Sequence, residues 1–470
     1  MVENAIVVLD VGKTVSKLSL WTSRGELICR DARPNARRSE GGIGVLDVDG
    51  IAPWMIETLA GYSRQAHIAH IIPVAHGAGI AAIRDDALVH LPLDYEETIP
   101  SPVRASYLAE RDPFQTTGSP PLSEGLNAGI QLFWMERKSP GIFEGATLMP
   151  WAQFWAWFLS GAARSEVTSL GCHTDLWAPL LNDFSPMAKR LGWADKFAPL
   201  AFAGDAIAYI RASLAEQTGL PGNVKVHCGL HDSNAALIAA RAFPEIDGQE
   251  ATVLSTGTWF VAMRSPKDAF DMVSLPAERD CLVNIDARNQ PVPSARFMGG
   301  REIETLIGLD TRRVDIKPDQ PSLLAAVPEL VRQRIMLQPT LAHGFGPFPN
   351  GRGRWIDMPE DWFARRAGAC LYAALVADVS LDLIGAKNAI LVEGRFGEAE
   401  VIVRALAALR PCERIYTSDA NNDVSFGALR LISPDLRPSG YLRPVKPLDV
   451  DLSGYKRDWL QMAARASASR

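Results

Sequence analysis

The sequence predicts a mixed α/β protein built from two similar halves, and three features carry that prediction. The chain first opens as an antiparallel meander. Ile6–Leu9 and Leu18–Trp21 are β-rich apolar runs joined by the polar turn Asp10-Val11-Gly12-Lys13-Thr14, and Glu26–Arg30 alternates as a third strand. Next, a helical pattern at Trp54–Tyr62 is followed by a strand-like run at Ile68–Val74. Meander, helix, strand is the order of a mixed sheet rather than a purely parallel one. Finally, the first hairpin returns 253 − 8 = 245 residues later. Val253-Leu254-Ser255-Thr256-Gly257-Thr258-Trp259 reads against Val8-Leu9-Asp10-Val11-Gly12-Lys13-Thr14 with Val, Leu and Gly in register, and Phe260–Met263 supplies the next apolar run. A signature repeated at the head of two halves of similar size indicates a duplicated domain with two facing glycine loops. The turn Pro244–Gly248 precedes the second copy, which divides the chain into domains 1–245 and 246–470.

The remaining elements follow from the same rules. Gly145 to Ala163 carries no charge, but Pro150 and Gly161 bracket a helix at Trp151–Ser160 that is too short for about 30 Å of hydrocarbon, so it reads as an aromatic core helix. The last third alternates: helix Leu371–Ile384, strand Ala389–Val392, turn Gly394 to Gly397, helix Glu398–Leu409, strand Arg414–Thr417 and helix Val424–Leu431. Strand, glycine turn, helix is the arrangement that aims backbone N–H groups at an anionic or nucleotide ligand.

Composition excludes several classes. The 470 residues are 47 % apolar and 22 % charged, too apolar for a disordered chain. With 48 basic against 54 acidic residues the net charge is −6, which gives no bulk attraction to nucleic acid or to an anionic membrane. Cys29, Cys172, Cys228, Cys281, Cys370 and Cys412 include no CxxC pair and read as reduced core thiols of a cytoplasmic protein. The opening MVENAIVVLD has no basic n-region and does not read as a signal peptide.

Four segments carry reactive chemistry. Gly12-Lys13-Thr14 lacks the glycine five residues earlier that a Walker loop requires, since position 7 is Val. What stands there is either an ordinary Asp-x-Gly hairpin turn or a turn that sets N–H groups, an ammonium and a hydroxyl around a phosphate, with Asp10 holding Mg²⁺ through water. Ser255–Trp259 offers hydroxyls and a glycine but no acid or base, which suits phosphate binding better than nucleophilic attack. In His227-Cys228-Gly229-Leu230-His231-Asp232-Ser233 the two histidines have helical metal-ligand spacing, but the strand Asn223–Val226 and Gly229 interrupt any helix across them. Asp232 is then either the N-cap of a helix over Ser233–Ala240 or a general base. His76-Gly77-Ala78-Gly79 follows a strand and Asp94-Tyr95-Glu96 comes soon after; donors and acceptors together suit a polyhydroxylated ligand.

Taken in order, these segments resemble the FGGY family of carbohydrate kinases, from about residue 5 to residue 435. Val8–Thr14 resembles the family's first phosphate loop, His76-Gly77 its substrate loop, and Thr117-Gly118, Leu132-Phe133-Trp134 and Trp151–Gly161 its sugar-binding region. Val226–Ala236 is similar to the catalytic segment, Leu254–Trp259 to the second phosphate loop, Leu391–Gly397 to the adenosine segment, and Phe426-Gly427-Ala428 to the closing small-residue helix. The resemblance implies two ribonuclease-H/actin-like α/β domains with an interdomain cleft, and transfer of the γ-phosphate of ATP to a sugar hydroxyl with Mg²⁺. It implies Asp232 as the base, Asp10 as the Mg²⁺-positioning carboxylate, and Gly12, Thr14, Thr256, Gly257 and Thr258 as phosphate ligands. It further implies Gly394, Arg395, Phe396 and Gly397 at adenosine, and His76, Gly77, Asp94, Trp134, His231 and Asp232 at the sugar. The partners expected are a sugar or polyol and ATP, with no nucleic acid and no membrane; a homodimer is allowed.

Three departures refine this. Lys13 stands where the family more often has a small polar residue, and is expected to add a γ-phosphate contact. Glu393-Gly394-Arg395-Phe396-Gly397 replaces the usual run of glycines, and Arg395 with Phe396 is expected to stack on adenine. Asp94-Tyr95-Glu96 replaces the acidic-and-Arg signature of xylulose and glycerol kinases, which directs the substrate towards the rhamnulose and fuculose branch. The competing readings are a kinase for another ketopentose or tetritol, a non-catalytic ATP-binding regulator on the same fold, and a zinc hydrolase built on His227, His231 and Asp232.

Overall fold

The computed structural model describes residues 4–311, 315–419 and 423–468. The chain forms two compact units: Met1–Ala239 with Val283–Pro291 and Asn422–Pro438, and Ala240–Leu282 with Val292–Asn421 and Ser439–Arg470. Two segments late in the sequence thus join the first unit.

The first unit is organised by β1 (Asn4–Val11), β2 (Val15–Thr22) and β3 (Leu27–Pro34), an antiparallel meander in which Leu9 faces Leu18 and Leu20 faces Cys29. Helix α1 (Val48–Tyr62) then leads to β4 (His67–Ala75), which runs parallel to β1. Helix α2 spans Trp151–Ser160 between Pro150 and the left-handed Gly161, as the sequence predicts. Strands β5 (Ala206–Tyr209), β6 (Lys225–His227) and β7 (Leu230–His231) complete a sheet of order β5-β6-β4-β1-β2-β3, with β7 added to β4, and helix α3 (Asp232–Ala240) follows directly. β1 is buried on both faces because it lies inside the sheet: every residue from Ala5 to Val11 is buried, Asp10 included, and Val7 and Val8 have no exposed surface. The helix Val424–Ile432, capped by Asp423 at the N–H groups of Ser425 and Phe426, packs on α3 so closely that a Cβ on Gly427 would lie 1.8 Å from the Ala235 carbonyl oxygen.

The second unit repeats this plan. β8 (Ala251–Thr256) pairs antiparallel with β9 (Phe260–Ser265) and parallel with β12 (Ala389–Gly394), as β1 pairs with β2 and β4. Strands β10 (Cys281–Ile285), β11 (Pro291–Phe297), β13 (Arg414–Ser418) and β14 (Leu442–Pro444) extend it to the order β10-β11-β9-β8-β12-β13-β14. Val8, Leu9 and Gly12 therefore correspond to Val253, Leu254 and Gly257 in topology as well as in sequence. Helix α4 (Gly299–Ile307) precedes the long buried helix α5 (Trp362–Leu383), and α6 (Glu400–Leu409) follows β12. α5 begins nine residues before the apolar run at Leu371 because Asp361 caps it, accepting from the N–H of Ala364 at 2.7 Å. Of the six free cysteines four are buried, but Cys412 is exposed and Cys29 half-buried, so two are not core thiols. Among the described residues no helix is long and apolar enough to cross a membrane.

Candidate active site

The first site grows out of the parallel pairing of β4 with β7. Gly229 has φ +79°, and a Cβ there would lie 2.1 Å from the Pro73 carbonyl oxygen, so only glycine lets the chain cross β4 at this point. Gln153 on α2 holds the crossing by donating to the Gly229 carbonyl at 3.0 Å. β7 then pairs Leu230 with Val74 and His231 with Ala75, which delivers Asp232 beside His76 and Gly77 at the adjoining strand end. The sequence alternatives for Asp232 resolve into a first-turn residue of α3 whose Oδ1 accepts from the Ser233 N–H at 2.6 Å and stands 3.2 Å from His231 Nε2.

Burial sets the protonation of this cluster. It pushes the imidazole of His231 down to about 4 and that of His76 below its ordinary value, so both rings are neutral near pH 7. His76 Nδ1 therefore donates to the Gly77 carbonyl at 2.8 Å, while His231 Nε2 stands 3.2 Å from Asp232 Oδ1. Asp232 keeps 29 % of its side-chain surface, yet burial raises its pKa, partly offset by His76 and the Ser233 hydrogen bonds. Gly77 has no room for a side chain: a Cβ would sit 2.6 Å from Cys172 Sγ and 3.0 Å from His231 Nε2.

Asp10 belongs to the same electrostatic group. Its carboxyl is pushed up to about 6 by burial and by the like charges of Asp232 and Asp423, with Lys17 opposing. Lys17 is its cross-strand partner in the β1–β2 ladder, with Nζ 3.6 Å from Oδ2. A desolvated carboxylate among carboxylates is a hard-oxygen donor set, and it fits Mg²⁺. Among the described residues no three His, Cys, Asp or Glu side chains converge to ligate a metal directly.

A cavity of about 130 Å³ lies beside these groups, comparable to one that holds a single six-membered ring. Gly12, Lys13, Thr14, His76, Asp94 and Glu96 supply its polar lining, and Val11, Val45, Leu46, Ile51 and Trp151 its apolar wall. Asn35 and Asp47 also line it and carry no sequence signal. Asn35 Nδ2 donates to the Gly12 carbonyl at 2.8 Å and so fixes the turn, and Asp47 is held by Arg33 at 2.9 Å. Lys13, expected at a phosphate, is instead bonded to Asp94 and stands 3.8 Å from Glu96. Trp134, expected at the sugar, is packed in a core cluster with Ile80, Phe133 and Phe143, and the aromatic wall of the cavity is Trp151. Sequence reasoning also missed Glu166 and Thr168. The Thr168 hydroxyl donates to Glu166 at 2.6 Å and accepts from the His231 N–H at 3.0 Å, a link across 63 residues.

The second unit presents its own turn. The Gly12 N–H is used within the first turn, donating to the Val15 carbonyl, and the Gly257 N–H likewise donates to the Trp259 carbonyl at 2.9 Å. Thr256, expected at a phosphate, is a structural clamp: its hydroxyl donates to the Glu393 carbonyl at 2.5 Å and accepts from the Phe396 N–H at 3.0 Å. Among the described residues the Thr14 and Thr258 hydroxyls make no hydrogen bond and remain available to a ligand. Phe396 is 2 % exposed with its ring 5.3 Å from that of Phe260, so it is a core ring rather than a face for adenine. Arg395 lies over that ring at 4.8 Å and contacts Glu304 at 3.3 Å. Gly397 borders a separate cavity of about 700 Å³ lined also by Glu398, Glu400, Lys317, Thr417 and Arg443.

Two units that each pair one strand antiparallel to the next and parallel to a later one, each ending that strand in a glycine turn, define the two-domain actin-like ATPase fold. The comparisons with known proteins agree. Residues 248–439 match the C-terminal domain of the FGGY carbohydrate kinases. The chain is 57 % identical to a carbohydrate kinase from Novosphingobium aromaticivorans, covering 100 % of both chains with a TM-score of 0.96. It is also similar to a ligand-bound xylulose kinase from Lactobacillus acidophilus (14 % identity, 99 % of each chain, TM-score 0.79). A third likeness is to a glycerol kinase from Plasmodium falciparum with ADP (11 % identity, 100 % of this chain and 99 % of that one, TM-score 0.80). No curated protein sequence matches the chain significantly. The chain belongs to the FGGY family of carbohydrate kinases; it is a sugar kinase. The xylulose and glycerol kinase likenesses carry the fold alone.

Proposed function

We propose that this sugar kinase transfers the γ-phosphate of ATP to a hydroxyl of a ketose, specifically a 6-deoxy-ketohexulose such as L-rhamnulose or L-fuculose. The observation that carries the reading is Asp232, an ionisable carboxyl held by the Ser233 N–H, 3.2 Å from His231 Nε2 and next to the cavity-lining His76. A carboxylate there takes the proton of the attacking hydroxyl while the hydroxyl oxygen bonds to the γ-phosphorus and the bond to ADP breaks. Neutral His76 orients a sugar hydroxyl without adding charge beside that base. The Thr14 and Thr258 hydroxyls, with the backbone around Gly12, Thr256 and Gly257, supply donors to phosphate oxygens. Gly394, Arg395 and Gly397 are the residues proposed to meet adenosine. Mg²⁺, when bound at Asp10, supplies positive charge to the β- and γ-phosphates.

The 6-deoxy preference is supported by the composition of the cavity wall. Val45, Leu46, Ile51 and Trp151 offer a dry surface to a methyl group, whereas a terminal hydroxyl there would lose its hydrogen bonds to water without gaining others. Sugar-dependent ADP release with Mg-ATP tests this across L-rhamnulose, L-fuculose, L-ribulose, D-xylulose, erythritol and glycerol. The highest kcat/KM on a 6-deoxy ketose supports the reading. A highest value on erythritol or glycerol refutes it.

A further inference from the structure

We propose that Lys13 and Asp94 act as one paired reader of two adjacent sugar hydroxyls, so that Lys13 determines sugar specificity instead of gripping ATP; this rests on the reading of the Val11–Trp151 cavity as the sugar site. The Lys13 ammonium is bonded to Asp94 Oδ1, stands 3.8 Å from Glu96 Oε2 and lies 4.8 Å over the ring of Tyr95. Lys13 and Asp94 both line the cavity, and each keeps 18 % of its side-chain surface.

Charge arithmetic decides which ligand this cluster serves. One ammonium with two carboxylates sums to −1, so the cluster offers a phosphate no net positive charge. Moving Lys13 to a phosphate would also leave the largely enclosed Asp94 carboxylate without its cation. Asp94 cannot follow, because its N–H donates to the Gly44 carbonyl at 3.0 Å and its Oδ1 accepts from the Glu96 N–H at 2.8 Å.

The pair that remains has a specific complementarity. Oδ1 of Asp94 is occupied by Lys13 and by the Glu96 N–H, while Oδ2 has no hydrogen-bond partner among the described residues. A donor-only ammonium thus stands beside a free acceptor oxygen. A vicinal diol matches both: one hydroxyl accepts from Nζ and its neighbour donates to Oδ2. A site built this way rejects analogues lacking either hydroxyl, because the unpaired partner stays desolvated. The ligand class is therefore a neutral sugar with two adjacent hydroxyls at this wall, with Trp151 covering its apolar face.

The test compares wild type, Lys13→Met and Asp94→Asn on the sugar that wild type turns over and on its mono-deoxy analogues. In Lys13→Met, KM for the sugar is expected to rise roughly tenfold or more, the size of one charge-assisted hydrogen bond, with KM for ATP changed by less than about twofold. Wild type should discriminate strongly against deoxy analogues at two adjacent positions, and both variants should lose that discrimination. Should Lys13→Met fail to fold, Asp94→Asn and Lys13→Arg carry the same comparison. A rise in KM for ATP with sugar kinetics unchanged overturns the proposal, as does unchanged discrimination in the presence of a lowered melting temperature. Wild type that neither turns over nor binds any sugar overturns the sugar-site reading itself, and is recognised by its inertness before any substitution.

Discussion

Nε2 of His231 stands 3.2 Å from Oδ1 of Asp232, and the neutral imidazole puts no cation beside the carboxylate. A protonated histidine would make Asp232 a weaker base by stabilising its anion. Burial prevents that, so the same enclosure that neutralises His231 raises the basicity of Asp232.

The raised carboxyls define a pH profile. Asp10 is pushed up to about 6 and Asp232 is raised as well, and both must be ionised to work. The acid limb of kcat/KM should therefore centre near pH 6, with activity lost as pH falls through that value. Lys17→Met, which removes the cation that lowers Asp10, should move the limb to higher pH. A limb centred near pH 4 in wild type would contradict this.

Asp10 also costs stability. Its folded pKa lies above its unfolded one, so between about pH 4 and pH 6 the folded chain binds the extra proton, and stability falls as pH rises through that window. The cost at neutral pH is on the order of 3 kcal/mol. Asp10→Asn should raise the melting temperature at pH 7.5 while abolishing transfer, and the gain should vanish near pH 4. Calorimetry at the two pH values checks it; an equal gain at both would count against a titrating Asp10.

Gly77→Ala forces a methyl against Cys172 Sγ and His231 Nε2. Overpacking of this kind costs roughly 1–3 kcal/mol. Activity should fall more than stability, since the displaced His231 ring stands 3.2 Å from the Asp232 carboxylate. Adding Cys172→Ala should restore part of both, and a double variant no better than the single one would show that the sulfur is not what the methyl meets.

In the second unit, a Cβ on Gly300 would lie 1.9 Å from the Gly257 carbonyl oxygen. Gly300→Ala should displace the turn and raise KM for ATP roughly tenfold or more, the size of one charge-assisted hydrogen bond to phosphate. Sugar affinity measured by calorimetry without nucleotide should stay unchanged. An unaltered KM for ATP would remove this turn from the phosphate site.

The parts of the fold that were legible share one property: they depend on neighbours in sequence. The three-residue turn Gly12-Lys13-Thr14 sets the hairpin register, and that register already places Lys17 opposite Asp10. Gly229 announced the break before Asp232 for the same local reason. What the sequence hid depends on distant packing. Trp134 and Trp151 are both buried in core clusters, and only the tertiary structure shows that Trp151 also borders the cavity. Phe396 lies in a polar, glycine-bearing turn, yet its ring enters the core beside Phe260. Thr168 meets His231 across 63 residues, and the partners of Lys13 lie 81 residues away at Asp94, so no local pattern could place either contact.

The account turns on Asp232 as the base, and Asp232→Asn tests it most directly. Sugar-dependent ADP release should fall roughly 10²–10⁴-fold, the usual contribution of a positioned general base, while calorimetric affinity for ATP stays at the wild-type value. An Asp232→Asn enzyme that keeps more than a few per cent of wild-type turnover would contradict the account, because an amide cannot take the proton.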